Sequence, residues 1–167
     1  MTPVAFIVLL ILPSLILHYV KINNDIEGMQ LALKQAELGL YITSPNPRVG
    51  CVIVKEGMVV AQGHTQAAGQ AHAEVSALSD ATVRGVDVRG ATAYVTLEPC
   101  CMCVGAILHA RIARVFFGAA DAKTGACGSV VNLFSEARLN HHAEVNGGLM
   151  ADESVRLLKE FFAQRRG

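Results

Sequence analysis

A chain of 167 residues is long enough for one domain with a sizeable core. Its 14 basic and 14 acidic side chains cancel, which argues against a strongly cationic nucleic-acid binder while leaving room for a local basic patch. Five cysteines are an odd number and three fall within residues 100–103, which suits a metal site in a reducing compartment better than a disulfide framework.

Residues 3–20 are almost entirely apolar, broken by Pro13, Ser14 and His18, and no charged side chain precedes Lys21. The stretch is at the lower edge of what spans a bilayer. It lacks the basic start and small-residue cleavage site of a secretory signal. Three readings stay open: a membrane anchor through residues 1–20, an extra buried helix, or an extension upstream of the domain. If it inserts, Lys21 puts the following domain on the cytoplasmic face. We therefore divide the chain into a leader or extension, 1–24, and a domain, 25–167.

Asn23-Asn24-Asp25 is a polar break with helix-capping chemistry. Ile26, Met29, Leu33, Ala36 and Leu40 then recur at helical spacing, which predicts an amphipathic helix to about Leu40. Ser44-Pro45-Asn46-Pro47 cannot continue it. Apolar runs at 49–55 and 58–62 flank Glu56-Gly57 and predict a β-hairpin. A small-residue loop, 63–70, leads to a helix over 71–79 with Val75 and Leu78 on one face. A connection at 84–90 precedes a buried strand at 93–97. Pro99 is expected to open a helix through Cys103, Ile107 and Ala110. Further on come a strand at 114–118, a loop at 125–128, a short helix at 130–137 and a marginal edge strand at 143–146. The last helix, 151–164, is expected to turn Val155, Leu158 and Phe162 inward. Strands alternating with helices point to a single α/β sandwich around one sheet.

The chemistry concentrates in Ala71-His72-Ala73-Glu74 and Pro99-Cys100-Cys101-Met102-Cys103. His72, Cys100 and Cys103 offer one imidazole and two thiolates, a set that fits one Zn2+ with an open fourth position, as catalytic zinc requires. Cys100 and Cys103 are three apart and share a helix face, whereas Cys101 does not and reads as a bystander. A helix N-terminus favours the thiolate form. The alternative, a closed structural zinc site, needs a fourth protein ligand; Cys51 and Cys127 read instead as a core residue and a loop residue. Glu74 is then a spare carboxylate, placed to take a proton from water and pass it to a ring nitrogen and to departing ammonia. The pattern H-x-E…P-C-x-x-C is a signature of zinc nucleobase deaminases.

Two family resemblances divide the chain. Residues 29–99 carry Ser44-Pro45-Asn46-Pro47-Arg48-Val49-Gly50-Cys51, Gly63-His64, Gly69, His72-Ala73-Glu74-Val75 and Gly90-Ala91-Thr92-Ala93-Tyr94-Val95-Thr96-Leu97-Glu98. This half resembles the pyrimidine deaminase domain of riboflavin biosynthesis. Residues 100–167 carry Cys100-Cys101-Met102-Cys103-Val104-Gly105-Ala106, His109-Ala110-Arg111-Ile112, Asp121-Ala122-Lys123-Thr124-Gly125-Ala126-Cys127-Gly128-Ser129, Asn140-His141-His142 and Phe161-Phe162. This half is similar to bacterial tRNA adenosine deaminases. Both families imply the cytidine-deaminase-like fold, a three-layer α/β/α sandwich around a mixed five-stranded sheet.

The departures are specific. The pyrimidine family usually separates its cysteines by a longer insertion and often carries a reductase domain. The adenosine family usually has asparagine at the position of His64 and a longer loop before the histidine ligand. By resemblance, Asn46 and His64 are substrate contacts of the pyrimidine type; the ordinary alternatives are a turn residue and a strand-end histidine. The tight cysteine pair, the 121–129 loop and the last helix imply the adenosine family's nucleic-acid cleft and homodimer. Arg111, Lys123, Arg138, Arg165 and Arg166 are candidate contacts to RNA, set against mere solvated charge. The reading is a cytoplasmic zinc hydrolase that converts adenosine to inosine in the tRNA anticodon loop, with tRNA or another single strand as partner. The alternative is a diaminohydroxyphosphoribosylaminopyrimidine deaminase acting on a small pyrimidine nucleotide. A non-catalytic zinc-binding or membrane-tethered interaction protein is disfavoured by the open coordination position and Glu74.

Overall fold

The computed structural model describes residues 20–39, 43 and 45–164. Helix α1, Asp25–Glu37, starts where Asn24 Oδ1 accepts from the Glu27 N–H at 2.9 Å, while the Glu27 carboxylate accepts from the Asn23 N–H at 2.7 Å. These reciprocal bonds satisfy donors that a helix start leaves open. The helix ends at Glu37, short of the predicted Leu40, which lies outside the described residues. Strands β1, Gly50–Lys55, and β2, Met58–His64, form the expected hairpin. Its two-residue turn has positive φ at both Glu56 (52°) and Gly57 (75°), the twist that tight hairpins favour. Then follow α2 (Ala73–Val83), β3 (Thr92–Leu97), α3 (Cys101–His109), β4 (Arg114–Ala119), β5 (Glu144–Gly147) and α4 (Ala151–Ala163).

The strands make one mixed five-stranded sheet in the order β2-β1-β3-β4-β5. β1 is antiparallel to β2 and β3, whereas β3, β4 and β5 run parallel. Strand alternation sends Cys51, Ile53, Ala93, Val95 and Val115 to one face, where they meet Ala73, Ala77 and Ala81 of α2 and Ile107 of α3. Val52, Val54, Tyr94 and Phe116 point the other way, onto Met29 and Ala32 of α1. Helix α4 lies on this second face too, because Gly118 shares the face of Phe116 and is covered by Ser154. The result is the three-layer sandwich expected.

Several elements differ from their sequence reading. Helix α2 runs four residues past Ser79 and faces inward with alanines, leaving Val75 and Leu78 half-buried. The cause is close approach: a Cβ on Gly63 of β2 would come within 2.8 Å of the Ala73 carbonyl, so only small residues fit between helix and strand. Pro99 stands before the N-cap Cys100 rather than in the first turn. The helix predicted over 130–137 shrinks to a 3-10 turn at Leu133–Ser135. There the chain spends its amides on the preceding loop: Val130 N–H donates to the Gly125 carbonyl and Leu133 N–H to that of Ala126. In α4 the buried residues are Ser154 and Phe161, one position off the predicted stripe, and Val155 and Phe162 are exposed. A serine can lie on Gly118 where a valine would not fit, and that contact sets the rotation of the helix.

Among the described residues no helix is long and apolar enough to cross a membrane. The leader readings concern residues 1–19 and lie outside the described residues. At the first described residue, the Val20 carbonyl accepts from the Val59 N–H at 2.9 Å.

Candidate active site

Sheet register brings the site together. Gly50 opens β1 opposite His64, the last residue of β2, and its N–H donates to Thr96 Oγ1 of β3 at 3.2 Å. The start of β1 and the ends of β2, β3 and β4 therefore share one edge of the sheet. Helices α2 and α3 both begin there, with His72 and Cys100 as their N-caps. The Nδ1 of His72 lies 3.7 Å from Cys100 Sγ and 3.5 Å from Cys103 Sγ, and all three ligand atoms fall within 4.8 Å of one another. A tetrahedral zinc at ordinary bond lengths would separate nitrogen from sulfur by about 3.6 Å. The donor set fits the ion in both chemistry and spacing.

The two thiols are electrostatically unequal. The Cys103 thiol hydrogen-bonds to Cys100 and brings its pKa down to about 5, against the burial that opposes ionisation, with help from the Cys103 amide and His72. The same bond, together with burial, pushes Cys103 up. One thiolate is thus stabilised by the fold itself. Cys101 is exposed, as its helical position implied, while Cys51 is buried in the core and Cys127 sits in a loop. Among the described residues His72, Cys100 and Cys103 form a three-donor group, with the Glu74 carboxylate hydrogen-bonded to Cys103 outside it.

Glu74, in the first turn of α2, is 4% exposed. Burial raises its carboxyl pKa, a shift opposed by hydrogen bonds from its own backbone amide and from Cys103. A carboxyl raised in this way accepts a proton more readily than a free one, as a general base requires. Asn46 and His64 lie at the same sheet edge, both half-buried. Asn46 sits in a turn, its N–H donating to the Thr43 carbonyl at 2.7 Å. His64 has its pKa lowered by burial, so the neutral imidazole prevails at pH 7.

One functional residue escaped the sequence reading. Glu98 is 3% exposed and sits between β3 and the first cysteine. Its Oε1 accepts from the N–H groups of Cys127 and Ser129, each at 3.0 Å. Its Oε2 accepts from the Asp121 N–H at 2.9 Å and from the Ser129 hydroxyl. The carboxylate therefore holds the 121–129 loop against the start of α3. Burial would raise its pKa, but the Ser129 hydroxyl and three amides outweigh that and keep it lowered. The signal was a charged side chain closing an apolar strand directly before a ligand. Of the candidate RNA contacts, Arg138 is tied to Glu136 at 2.7 Å and Arg111 to Asn140 at 3.2 Å. Lys123 is exposed in the clamped loop, and Arg165 and Arg166 lie outside the described residues.

A mixed sheet flanked by helices, with two helix N-termini presenting one imidazole, two thiols and a buried glutamate, defines a zinc-dependent deaminase of the cytidine-deaminase fold. The chain belongs to the cytidine and deoxycytidylate deaminase zinc-binding family, which its residues 22–119 match. It is 40% identical over 144 residues to a tRNA-specific adenosine deaminase of Streptococcus pyogenes serotype M18, covering 83% of this chain and 89% of that one. It is 42% identical over 144 residues to the riboflavin biosynthesis protein RibD of Escherichia coli, again over 83% of this chain but spanning only 37% of that protein. A solved tRNA A34 deaminase, which edits adenosine to inosine at the wobble position, superposes with a TM-score of 0.68 at 35% identity, covering 79% of this chain and 99% of that one. The two resemblances read from the halves are both present.

Proposed function

We propose that this chain is a hydrolytic adenosine deaminase that makes inosine in a tRNA anticodon loop, with His72, Cys100 and Cys103 holding zinc. The observation that carries the reading is the layout of the cysteine side. Both thiols come from one turn of α3, and the rim beside them is the loop that Glu98 clamps, with Lys123 and Thr124 exposed. An exposed cation on a fixed rim suits the phosphates flanking a flipped-out base. The likeness to tRNA-specific deaminases supports it.

Zinc in this site supplies a Lewis acid that makes water nucleophilic near neutral pH. The protein does the rest. Glu74 takes the proton of the attacking water on its buried carboxylate and delivers it to the ring nitrogen. It then takes the second proton, from the hydroxyl added to the ring, and delivers it to the amino group that departs as ammonia. The Cys100–Cys103 pair and His72 would hold the ion from two helix starts, and Glu74, two residues after His72, is hydrogen-bonded to Cys103 in the same cluster. Asn46, from the turn before β1, and His64, at the end of β2, bind the edge of the base. The active unit is a cytoplasmic homodimer, a reading that the tRNA-deaminase resemblance supports.

A second reading, deamination of a phosphoribosylated pyrimidine, is favoured by one observation. The position at the end of β2 holds a neutral histidine, His64, rather than asparagine. The likeness to RibD supports it. Purified zinc-loaded protein should be offered an anticodon stem-loop and diaminohydroxyphosphoribosylaminopyrimidine separately, with inosine and ammonia measured. Inosine from the stem-loop is expected; ammonia from the pyrimidine alone reverses the order.

A further inference from the structure

Among the described residues, Arg48 is a buried charge with no ion pair to account for it. It lies between Asn46 and β1, and its side chain is 2% exposed. Its Nε has no hydrogen-bond partner, and no described carboxylate pairs with it. What faces it is the ring of Phe161, whose centroid is 5.5 Å from the guanidinium carbon. Phe161 is itself 2% exposed and belongs to the last turns of α4. Taking a cation out of water with its Nε left unpaired is costly, and an apolar side chain of similar volume is commonly as stable or more so in such a place. A desolvated cation–π contact returns only part of that cost. The charge at Arg48 is therefore not accounted for by stability.

Its location suggests what it does. Helix α4 packs chiefly on β4 and the end of β3, on the sheet face away from α2 and α3. The Arg48–Phe161 contact links that helix to the segment bearing Asn46. The far side of the segment is already fixed: Val49 N–H donates to Thr65 Oγ1 at 3.1 Å, and Thr65 N–H to the Val49 carbonyl at 2.9 Å. Thr65 follows His64 directly. Asn46 and His64 thus sit on segments tied together through Val49 and Thr65, and Arg48 adds a contact from the Asn46 side to an aromatic face of α4.

We propose that Arg48 is a positioning residue for substrate binding: through Phe161 it uses the C-terminal helix to set the height of Asn46 over the metal edge. The proposal rests on the reading of Asn46 as a base contact. It assigns specificity to a side chain that touches neither base nor metal, and to a helix on the opposite sheet face.

The test is a set of variants on the full zinc-loaded chain: Arg48→Met, Phe161→Leu, Asn46→Ala and the double variant Asn46→Ala/Arg48→Met. Zinc content, KM, kcat and the affinity for an inosine-containing stem-loop are measured. If the stem-loop is not a substrate, the phosphoribosylated pyrimidine and its deaminated product replace it. Arg48→Met and Phe161→Leu should each raise KM and weaken product binding about tenfold, with kcat within about threefold and zinc content unchanged. Adding Arg48→Met to Asn46→Ala should cause little further loss, because the first acts through the second. Fully multiplicative losses would overturn the positioning role. So would unchanged KM in both Arg48→Met and Phe161→Leu when Asn46→Ala is impaired. An Asn46→Ala protein with unaltered KM would instead remove the base-contact reading itself. Phe161→Leu keeps Arg48 and an apolar side chain, so it still decides the matter if Arg48→Met does not fold.

Discussion

Replacing Glu98 should separate the loop that borders the site from the metal that occupies it. The carboxylate accepts from three backbone N–H groups and one hydroxyl, and it is 3% exposed. A hydrogen bond to a charged group is worth about 1.5–3 kcal/mol, and a buried donor left unpaired incurs a similar desolvation cost. Glu98→Ala abandons all three amides. Ser129 is exposed and Cys127 only half-buried, so water rescues part of the loss. A destabilisation of about 3–5 kcal/mol is expected, similar to breaking other buried charged contacts. Glu98→Gln keeps the Oε1 acceptor for Cys127 and Ser129. Its amide nitrogen then faces the Asp121 N–H, donor against donor, while the Ser129 hydroxyl can turn to accept. One bond is lost, and about 1.5–3 kcal/mol is expected. Urea denaturation at fixed free zinc measures both, because metal binding otherwise shifts the midpoint. Limited proteolysis should cut the 121–129 loop faster in the alanine variant while zinc content holds. A cost below about 1 kcal/mol for Glu98→Ala would refute the reasoning, since three amides cannot lose a carboxylate so cheaply.

Glu74→Ala should lower kcat by a factor of about 10²–10⁴ and leave zinc content intact, as metal analysis beside an ammonia assay will show. Cys100→Ser should lose zinc outright, because a hydroxyl is not ionised where the thiol is held at about 5. His64 should titrate by NMR below about 6.5, its unperturbed value. With the folded pKa depressed, the contribution of neutral His64 to stability is present above about pH 6.5. It declines as pH falls through the folded pKa, so wild type should lose stability relative to His64→Asn as pH drops from 7 to about 5. Gly50→Ala should cost about 3 kcal/mol or more in urea, because the new methyl runs into the Ala32 carbonyl of α1 and backbone must move.

How legible all this was in the sequence depended on range. The hairpin, the buried strands and the ligand set rest on interactions within a few residues: Glu56-Gly57 for the turn, His72 with Glu74, Cys100 with Cys103. Those were readable because spacing alone places such groups. Errors fell where a distant partner decides. The α4 stripe Val155, Leu158 and Phe162 is apolar enough to suggest the inward face, yet Gly118, some forty positions earlier, admits Ser154 and turns the helix by one residue. Val130 and Val131 have no intrinsic reason to avoid a helix; the carbonyl of Gly125 takes both their amides first. Glu98 was hidden for the same reason. Its four partners come from residues 121–129, and nothing local distinguishes a clamp from an exposed acid.

The sequence reading divided the two resemblances between residues 99 and 100, but the likenesses to the tRNA deaminase and to RibD each cover 83% of the chain, and the fold has no joint there. Gly50 pairs with His64 and donates to Thr96, so substrate-side and metal-side elements share a register two strands wide. Both metal-binding helices start from that edge, and the same alternation that buries Val95 delivers Thr96 to Gly50. A shift of one residue between β1 and β3 would send the apolar set of one strand to the wrong face. The halves are therefore locked together by core packing, whatever base they accept. On the proposed function, identity of the base falls to side chains that project from this edge: Asn46, His64 and the loop that Glu98 secures. That reading assigns reaction and substrate to different parts of the same sheet edge, the first to helix starts and the second to what surrounds them. Exchanging His64 for asparagine tests that division directly. It should move preference toward adenosine, measured as the ratio of kcat/KM for the stem-loop and the pyrimidine, while zinc content and Glu74-dependent chemistry stay constant. A parallel fall in both activities, or a loss of zinc, would show that the edge cannot be divided in this way.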